Sequence, residues 1–260
     1  MSKWRRRRTS DGRSVILLGI DVGGSSIKAA PVDVERGEIA AGTASVPTPQ
    51  PSTPGAVARA LQALATQFDV GGPVGVAFPA VIKHGEVCTA ANIDASWIGV
   101  AAQSLFEGTL GRRAVVLNDA DAAGIAEMEF GAGRGRGGTV MMLTFGTGIG
   151  SALFIDGKLV PNTELGHLEI SGVEAEHWAS GRARSAEGLD WQQWAQRVND
   201  VLAAYQALLW PDVFILGGGV TEQFASFGHL LKSRAEIVPA HFRAQAGIVG
   251  AAIAAARAAR

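Results

Sequence analysis

Two glycine turns, each closing an apolar run, are the segments of this chain best suited to hold an anion. The first is Gly23-Gly24-Ser25 in GIDVGGSSIK (residues 19–28), with Asp21 before it and Lys28 after it; the second is Gly146-Thr147-Gly148 in LTFGTGIGS (143–151). A glycine turn lets backbone N–H groups approach an anion with no Cβ in the way, although such turns also simply close hairpins. Two of them in equivalent positions point to a shared phosphate-binding crevice. Asp21 suits a hydrated Mg²⁺ held between protein and phosphates, its plainer role being to stabilise the turn. Asp119, with Asn118 at the end of the apolar AVVLN, sits beyond a strand C-terminus, where open α/β sheets bind ligands. It is the candidate general base, and the competing role of helix cap fits Asp121 better. Glu164 and His167, spaced i, i+3 in ELGH, are able to point into one pocket as donor and acceptor for a polyol.

These residues need elements to carry them. Residues 15–48 read as three consecutive strands, closed by Pro47, Pro49 and Pro51. Ser52 or Thr53 is set to cap a helix that has Pro54 at its first position and apolar residues at helical spacing to Phe68. A strand at 74–82, a hairpin at His84-Gly85, the loop AANIDASWIG, a helix around 100–106, the strand 114–119 and a helix from Asp121 to Phe130 follow. After the glycine-rich 131–138 the plan restarts: strand, glycine turn, strand and an Asp156-Gly157 turn. Helices near 175–183 and 191–209, the strand DVFILGGG, a helix from Thr221, a strand near Ile237 and a last helix from Gly247 complete it. The echo of GIDVGGSSIKAAPVD in LTFGTGIGSALFID marks a duplicated unit whose two glycine hairpins face one crevice.

Composition narrows the class. With 260 residues, 47% of them hydrophobic and 18% charged, the chain reads as a globular cytoplasmic protein, without an apolar run long enough to span a membrane. The single cysteine, Cys88, excludes an internal disulfide framework and reads as a small packing residue. The net charge of −1 is uneven: Lys3, Arg5, Arg6, Arg7, Arg8 and Arg13 form a basic tail at 1–14, expected to be disordered, and nothing points to nucleic acid as a partner.

LGIDVGGSSIK, LNDADAAGIAE, LTFGTGIGS, ELGH and ILGGGV, in this order, resemble the ROK branch of the actin/hexokinase/Hsp70 superfamily; AANIDASWIG, PNTELGHLEI and AGIVGAA narrow the likeness to its polyphosphate glucokinases and polyphosphate/ATP glucomannokinases. The resemblance implies an α/β, duplicated ribonuclease-H-like fold in two lobes: 15–119 with 247–260 as the small lobe, 120–246 as the large one, hinged near Ala120 and 239–247. It implies Asp119 as the base toward the sugar 6-hydroxyl, and Asn118, Glu164, His167, Glu176 and, more weakly, Asn92 as sugar contacts, with Glu174 competing for the place of Glu176. Gly217, Gly218 and Gly219 match an adenosine-side glycine turn. The zinc-binding cysteines of many ROK kinases are missing after Gly166-His167, so packing, with His177 or Trp178, has to order 168–182. Trp97 reads as core or loop packing.

The expected reaction is transfer of a terminal phosphoryl group from polyphosphate to glucose with Mg²⁺, with mannose and ATP as further substrates and a homodimer by analogy. A polyphosphate channel calls for a row of cations, for which Lys28, Lys83, Arg134, Arg136 and Lys158 are the candidates. Two alternatives stay open: a strictly ATP-dependent ROK hexokinase, and a sugar-sensing regulator, against which the early first strand leaves no room for a helix-turn-helix.

Overall fold

The computed structural model describes residues 14–259, so the basic tail expected at 1–14 lies, apart from Ser14, outside the described residues. The first half opens with β1 (Ile16–Val22) and β2 (Ser26–Asp33), an antiparallel hairpin, followed by β3 (Glu38–Ile39) and β4 (Ala44–Pro47), which both pair with β2. Four strands therefore replace the three expected over 15–48, because the chain turns at 40–43 and returns to β2 further along its length.

Helix α1 (Pro54–Ala65) starts at Pro54 as expected, but neither Ser52 nor Thr53 caps it through a side chain. The Ser52 hydroxyl instead accepts the Asp94 amide at 3.1 Å, and its carbonyl accepts the Trp97 indole N–H at 2.8 Å. The next strand, β5 (Val74–Phe78), is four residues shorter than the run 74–82: the chain bends after Phe78 and forms a small hairpin, β6 (Ile82–Lys83) with β7 (Glu86–Val87). α2 (Ala102–Leu110) ends at Gly111 and leads to β8 (Ala114–Asn118). The sheet order is β3-β2-β1-β5-β8, antiparallel at the hairpin and parallel from β1 to β8.

α3 (Asp119–Phe130) begins two residues earlier than expected, because Asn118 and not Asp121 is its cap: the Asn118 Oδ1 accepts the Asp121 amide at 3.0 Å. The second half then repeats the first. β9 (Thr139–Phe145), β10 (Ile149–Ile155) and β11 (Lys158–Val160) form the antiparallel side, and a two-strand hairpin, β12 (Glu169–Ile170) with β13 (Val173–Glu174), follows. Helices α4 (Ala175–Ala179) and α5 (Gly181–Ala186) break at Ser180, whose hydroxyl caps α5, and the long α6 (Trp191–Leu209) opens on an Asp190 capping box. β14 (Val213–Gly217) and β15 (Glu236–Pro239) add the parallel side, giving the order β11-β10-β9-β14-β15. Between them the segment from Thr221 is a 3₁₀ turn and a one-turn helix, α7 (Phe224–Phe227), and α8 (Ala246–Ala258) closes the chain.

Each half is thus a hairpin with an edge strand, two parallel strands and a final helix, α3 or α8. These two helices lie between the sheets and pack closely on each other. A Cβ at Gly250 would fall on the Ala122 carbonyl, so the helix crossing depends on a missing side chain. The shared core runs through both halves, with Ile125 and Ala126 of α3, Ile248 and Val249 of α8, Val32 of one sheet and Met142 of the other. On the outer side of the first sheet Trp97 is fully buried against Phe78, ring centroids 4.6 Å apart, which makes it a core residue. Cys88 is exposed rather than a packing residue. No helix among the described residues is long and apolar enough to cross a membrane.

Candidate active site

The hairpin turns of the two halves, Gly23–Ser25 and Gly146–Gly148, open into one cleft of about 670 Å³. Asn92, Asn118, Asp119, Glu164, His167, Glu176 and Gly218 line the same cleft. Thirteen of the residues singled out from the sequence thus converge, though they come from segments as far apart as Gly23 and Gly218.

Asp119 owes its place to β8, and its Oδ1 accepts the amide of Ala120 at 2.8 Å. Burial, then the charges of Asp21 and Glu164, raise its pKa from 3.8 to about 7, against the opposing hydrogen bond from Ala120. It is therefore poised to hold or release a proton near neutrality. Asn118 makes two commitments to the protein, accepting from Asp121 and donating through Nδ2 to the Ala80 carbonyl at 3.2 Å, so its second N–H is what it has to offer a ligand.

Asp21 does not line the cleft. It stands directly opposite Lys28 in the β1–β2 ladder, and a Cβ on Gly247 would touch its carboxylate. Burial raises its pKa to about 6, partly offset by Lys28. Lys28 is therefore a strand residue beside Asp21 and not a member of the phosphate turn. Two carboxylates, Asp21 and Asp119, near enough to perturb one another form the hard oxygen set a divalent cation would relieve, so the residues fit Mg²⁺.

Glu164, His167, Glu174 and Glu176 form a compact charge cluster. His167 places Nδ1 3.1 Å from Glu174 Oε2 and Nε2 3.7 Å from Glu164 Oε2. The hydrogen bond to Glu174, with Glu176 and Glu164 behind it, raises the His167 pKa although partial burial opposes it. Burial raises the Glu164 carboxyl, His167 counteracts it, and Glu176 adds to it. The two competing glutamates differ in position: Glu176 lines the cleft, whereas Glu174 braces His167. Glu176 also meets the second turn, where the Ile149 amide donates to it at 3.4 Å and a Cβ on Gly148 would collide with its carboxylate. His167, Glu174 and Glu176 can also bring one ligand atom each within 4.8 Å of the others, a geometry open to a metal ion.

Packing contacts brace 168–182 and the turn before it. The Tyr205 hydroxyl donates to the Leu165 carbonyl at 2.7 Å, the Trp194 indole to the Ala179 carbonyl at 2.9 Å, and Arg197 lies 4.1 Å over the Trp178 ring while donating to the Trp178 carbonyl. His177 contributes less, facing Glu174 and Glu176 from an exposed position.

Gly218 enters the cleft at a φ of 85°, its α-carbon pressed against the Phe145 backbone, whereas Gly217 and Gly219 do not line it. The expected cations lie outside the cleft lining. None of Lys28, Lys83, Arg134, Arg136 and Lys158 is among the residues lining the cleft, and Arg136 is tied to Glu236 through 2.5 and 3.0 Å hydrogen bonds. Thr89, Thr144, Ser151 and Thr163 also line the cleft and were missed from the sequence. Thr144 and Ser151 carried a signal, as members of LTFGTGIGS, and Thr163 did as the neighbour of Glu164; the isolated Thr89 had none.

Two sheets of the same plan, α3 and α8 between them and a cleft joining both glycine turns to a half-buried carboxylate define the actin/hexokinase-like fold of sugar kinases. The chain belongs to the ROK family, which residues 17–189 match. It is 47% identical over 238 residues to the polyphosphate glucokinase of Mycobacterium tuberculosis, covering 91% of this chain and 90% of that one. It is 46% identical, with a TM-score of 0.91, to the inorganic polyphosphate/ATP-glucomannokinase of Arthrobacter sp. strain KM, over 94% of this chain and 99% of that one. A ROK family glucokinase from Streptomyces griseus, solved with glucose and AMPPNP, is 27% identical at a TM-score of 0.78, over 93% and 99% of the two chains.

Proposed function

We propose that this cleft transfers the terminal phosphoryl group of inorganic polyphosphate to the 6-hydroxyl of glucose. The observation that carries the reading is the position of Asp119, a carboxylate with a pKa near neutrality in a cleft shared by the sugar-side residues Glu164, His167 and Glu176 and by both glycine turns. The ionised Asp119 takes the hydroxyl proton as the oxygen–phosphorus bond forms and the bridging P–O bond breaks, releasing a chain one unit shorter. Glu164, His167 and Glu176 hold the ring hydroxyls, while Asn118 and Asn92 offer further amide contacts. The turns at Gly23–Ser25 and Gly146–Gly148 seat the phosphates with backbone N–H groups and the hydroxyls of Ser25 and Thr147, neutral donors within the cleft itself. Asp119, which lines the cleft, with Asp21 close behind it, would hold Mg²⁺, which would neutralise charge on the transferring phosphates.

Polyphosphate as donor is supported by the 47% and 46% identical relatives. Mannose and ATP enter as further substrates through the name of the Arthrobacter relative, and Gly218 in the cleft favours room for a nucleotide. A small lobe of 15–119 with 247–260 closing on a large lobe of 120–246, in a cytoplasmic homodimer, completes the proposal. Initial rates of glucose 6-phosphate formation with polyphosphate or ATP, for wild type and Asp119→Asn, test it. Polyphosphate should support turnover that the variant loses by about 10²–10⁴-fold. Turnover with ATP alone would shift the donor, and equal rates for the two proteins would remove Asp119 from the mechanism.

A further inference from the structure

Asn162 lies two residues before Glu164, in the left-handed region at a φ of 58°. Its side chain behaves as a strand partner for the other half of the molecule: Oδ1 accepts the Ile82 amide at 2.9 Å and Nδ2 donates to the Ile82 carbonyl at 2.9 Å. Its own amide donates to Asp121 Oδ2 at 2.8 Å. Asp121 in turn donates its amide to Asn118, and Asn118 donates to the carbonyl of Ala80, two residues before Ile82. The four side-chain links close a ring, from Ile82 through Asn162, Asp121 and Asn118 back to Ala80. Asp121 is 2% exposed, and its second oxygen is buried without a hydrogen-bond partner, so the carboxyl is spent on this contact alone.

The ring has a site residue on each side. Asp119 follows Asn118 on the first half, and Glu164 follows Asn162 on the second. Resting on the sugar-kinase reading of the cleft, we propose that Asn162, held by Asp121, is a positioning residue: a clip between the halves that sets Glu164 at its distance from Asp119 before glucose arrives. The ring encloses Ala120, so the sugar seat is fixed at the point where the lobes would pivot, and the glycine turns at the phosphate end lie outside it. A preformed seat of this kind spends no binding energy on ordering the glutamate.

Asn162→Gly tests the clip, since glycine keeps the left-handed backbone and removes only the amide. The Michaelis constant for glucose should rise about 10–100-fold, the scale of one or two lost polar contacts, with that for the phosphoryl donor unchanged. Asp121→Ala should reproduce the effect, and the double variant should be no worse than Asn162→Gly alone. Backbone amide exchange at Ile82 gives a readout independent of turnover, and it should accelerate in either variant. Unchanged exchange at Ile82 overturns the clip whatever the kinetics show. Faster exchange with an unaltered glucose constant overturns the positioning role. If wild type fails to phosphorylate glucose, the proposed function falls, while exchange at Ile82 still decides whether the clip exists.

Discussion

Replacing Asp119 by asparagine should destroy turnover and at the same time stabilise the fold. The native carboxyl is raised from 3.8 to about 7 by burial and by its acidic neighbours. Between those two values the native state keeps a proton that the unfolded chain has released, so stability declines as pH rises through that window and the whole penalty is present above pH 7. Three units of displacement correspond to about 4 kcal/mol as an upper bound, and the opening of the carboxylate onto the cleft reduces this to roughly 2–4 kcal/mol. Asparagine retains an oxygen for the Ala120 amide, so the exchange removes charge and little else. For a chain of 260 residues the gain amounts to about 4–8 °C in melting temperature. Thermal unfolding of both proteins at pH 8 and again near pH 4.5, without sugar, phosphate or divalent cation, is the assay. The variant should melt higher at pH 8, and the difference should shrink at the lower pH as wild type sheds its penalty. An equal or lower melting temperature at pH 8, or a difference indifferent to pH, would refute the claim that Asp119 is held ionised against its surroundings.

Three further outcomes follow from individual contacts. Gly148→Ala should push the Glu176 carboxylate off the second turn, raising the Michaelis constant for glucose by roughly 10-fold or more in steady-state assays while leaving the melting temperature nearly unchanged. Arg136→Ala should cost at most about 1 kcal/mol in urea unfolding, because its partner Glu236 is largely exposed. The same variant should leave the salt dependence of polyphosphate turnover as it is; a log–log slope smaller by about 0.7–0.9 would put Arg136 on the donor path after all. Glu127, fully buried, accepts the amides of Ala132 and Phe242 at 2.8 Å each and so ties the glycine-rich link to the segment before α8. Glu127→Gln turns a donor toward one of those amides and should lower unfolding stability by about 1–3 kcal/mol, measured by urea titration.

Pattern and spacing in the chain are sufficient for the duplication, for two glycine turns that meet in one cleft and for a carboxylate placed beside them, because each is a local property. An apolar run that must turn sharply needs glycine, and a carboxylate directly after a buried strand is carried to its C-terminal edge. The same local character made Glu164 and His167 legible at i, i+3, and Trp97 readable as core. What failed were matters of pairing. Asn118 rather than Asp121 caps α3, Lys28 answers Asp21 across a ladder, and Arg136 is engaged by Glu236 a hundred positions away. A row of cations can be counted in a sequence, but only packing determines whether another charge has already claimed them. The folded chain likewise chose Glu176 over Glu174 for the cleft and bound Asn162 to Ile82, since both depend on where the second half comes to rest against the first. Spacing reports the faces of single elements; which distant side chain meets which is set by the two sheets closing on α3 and α8.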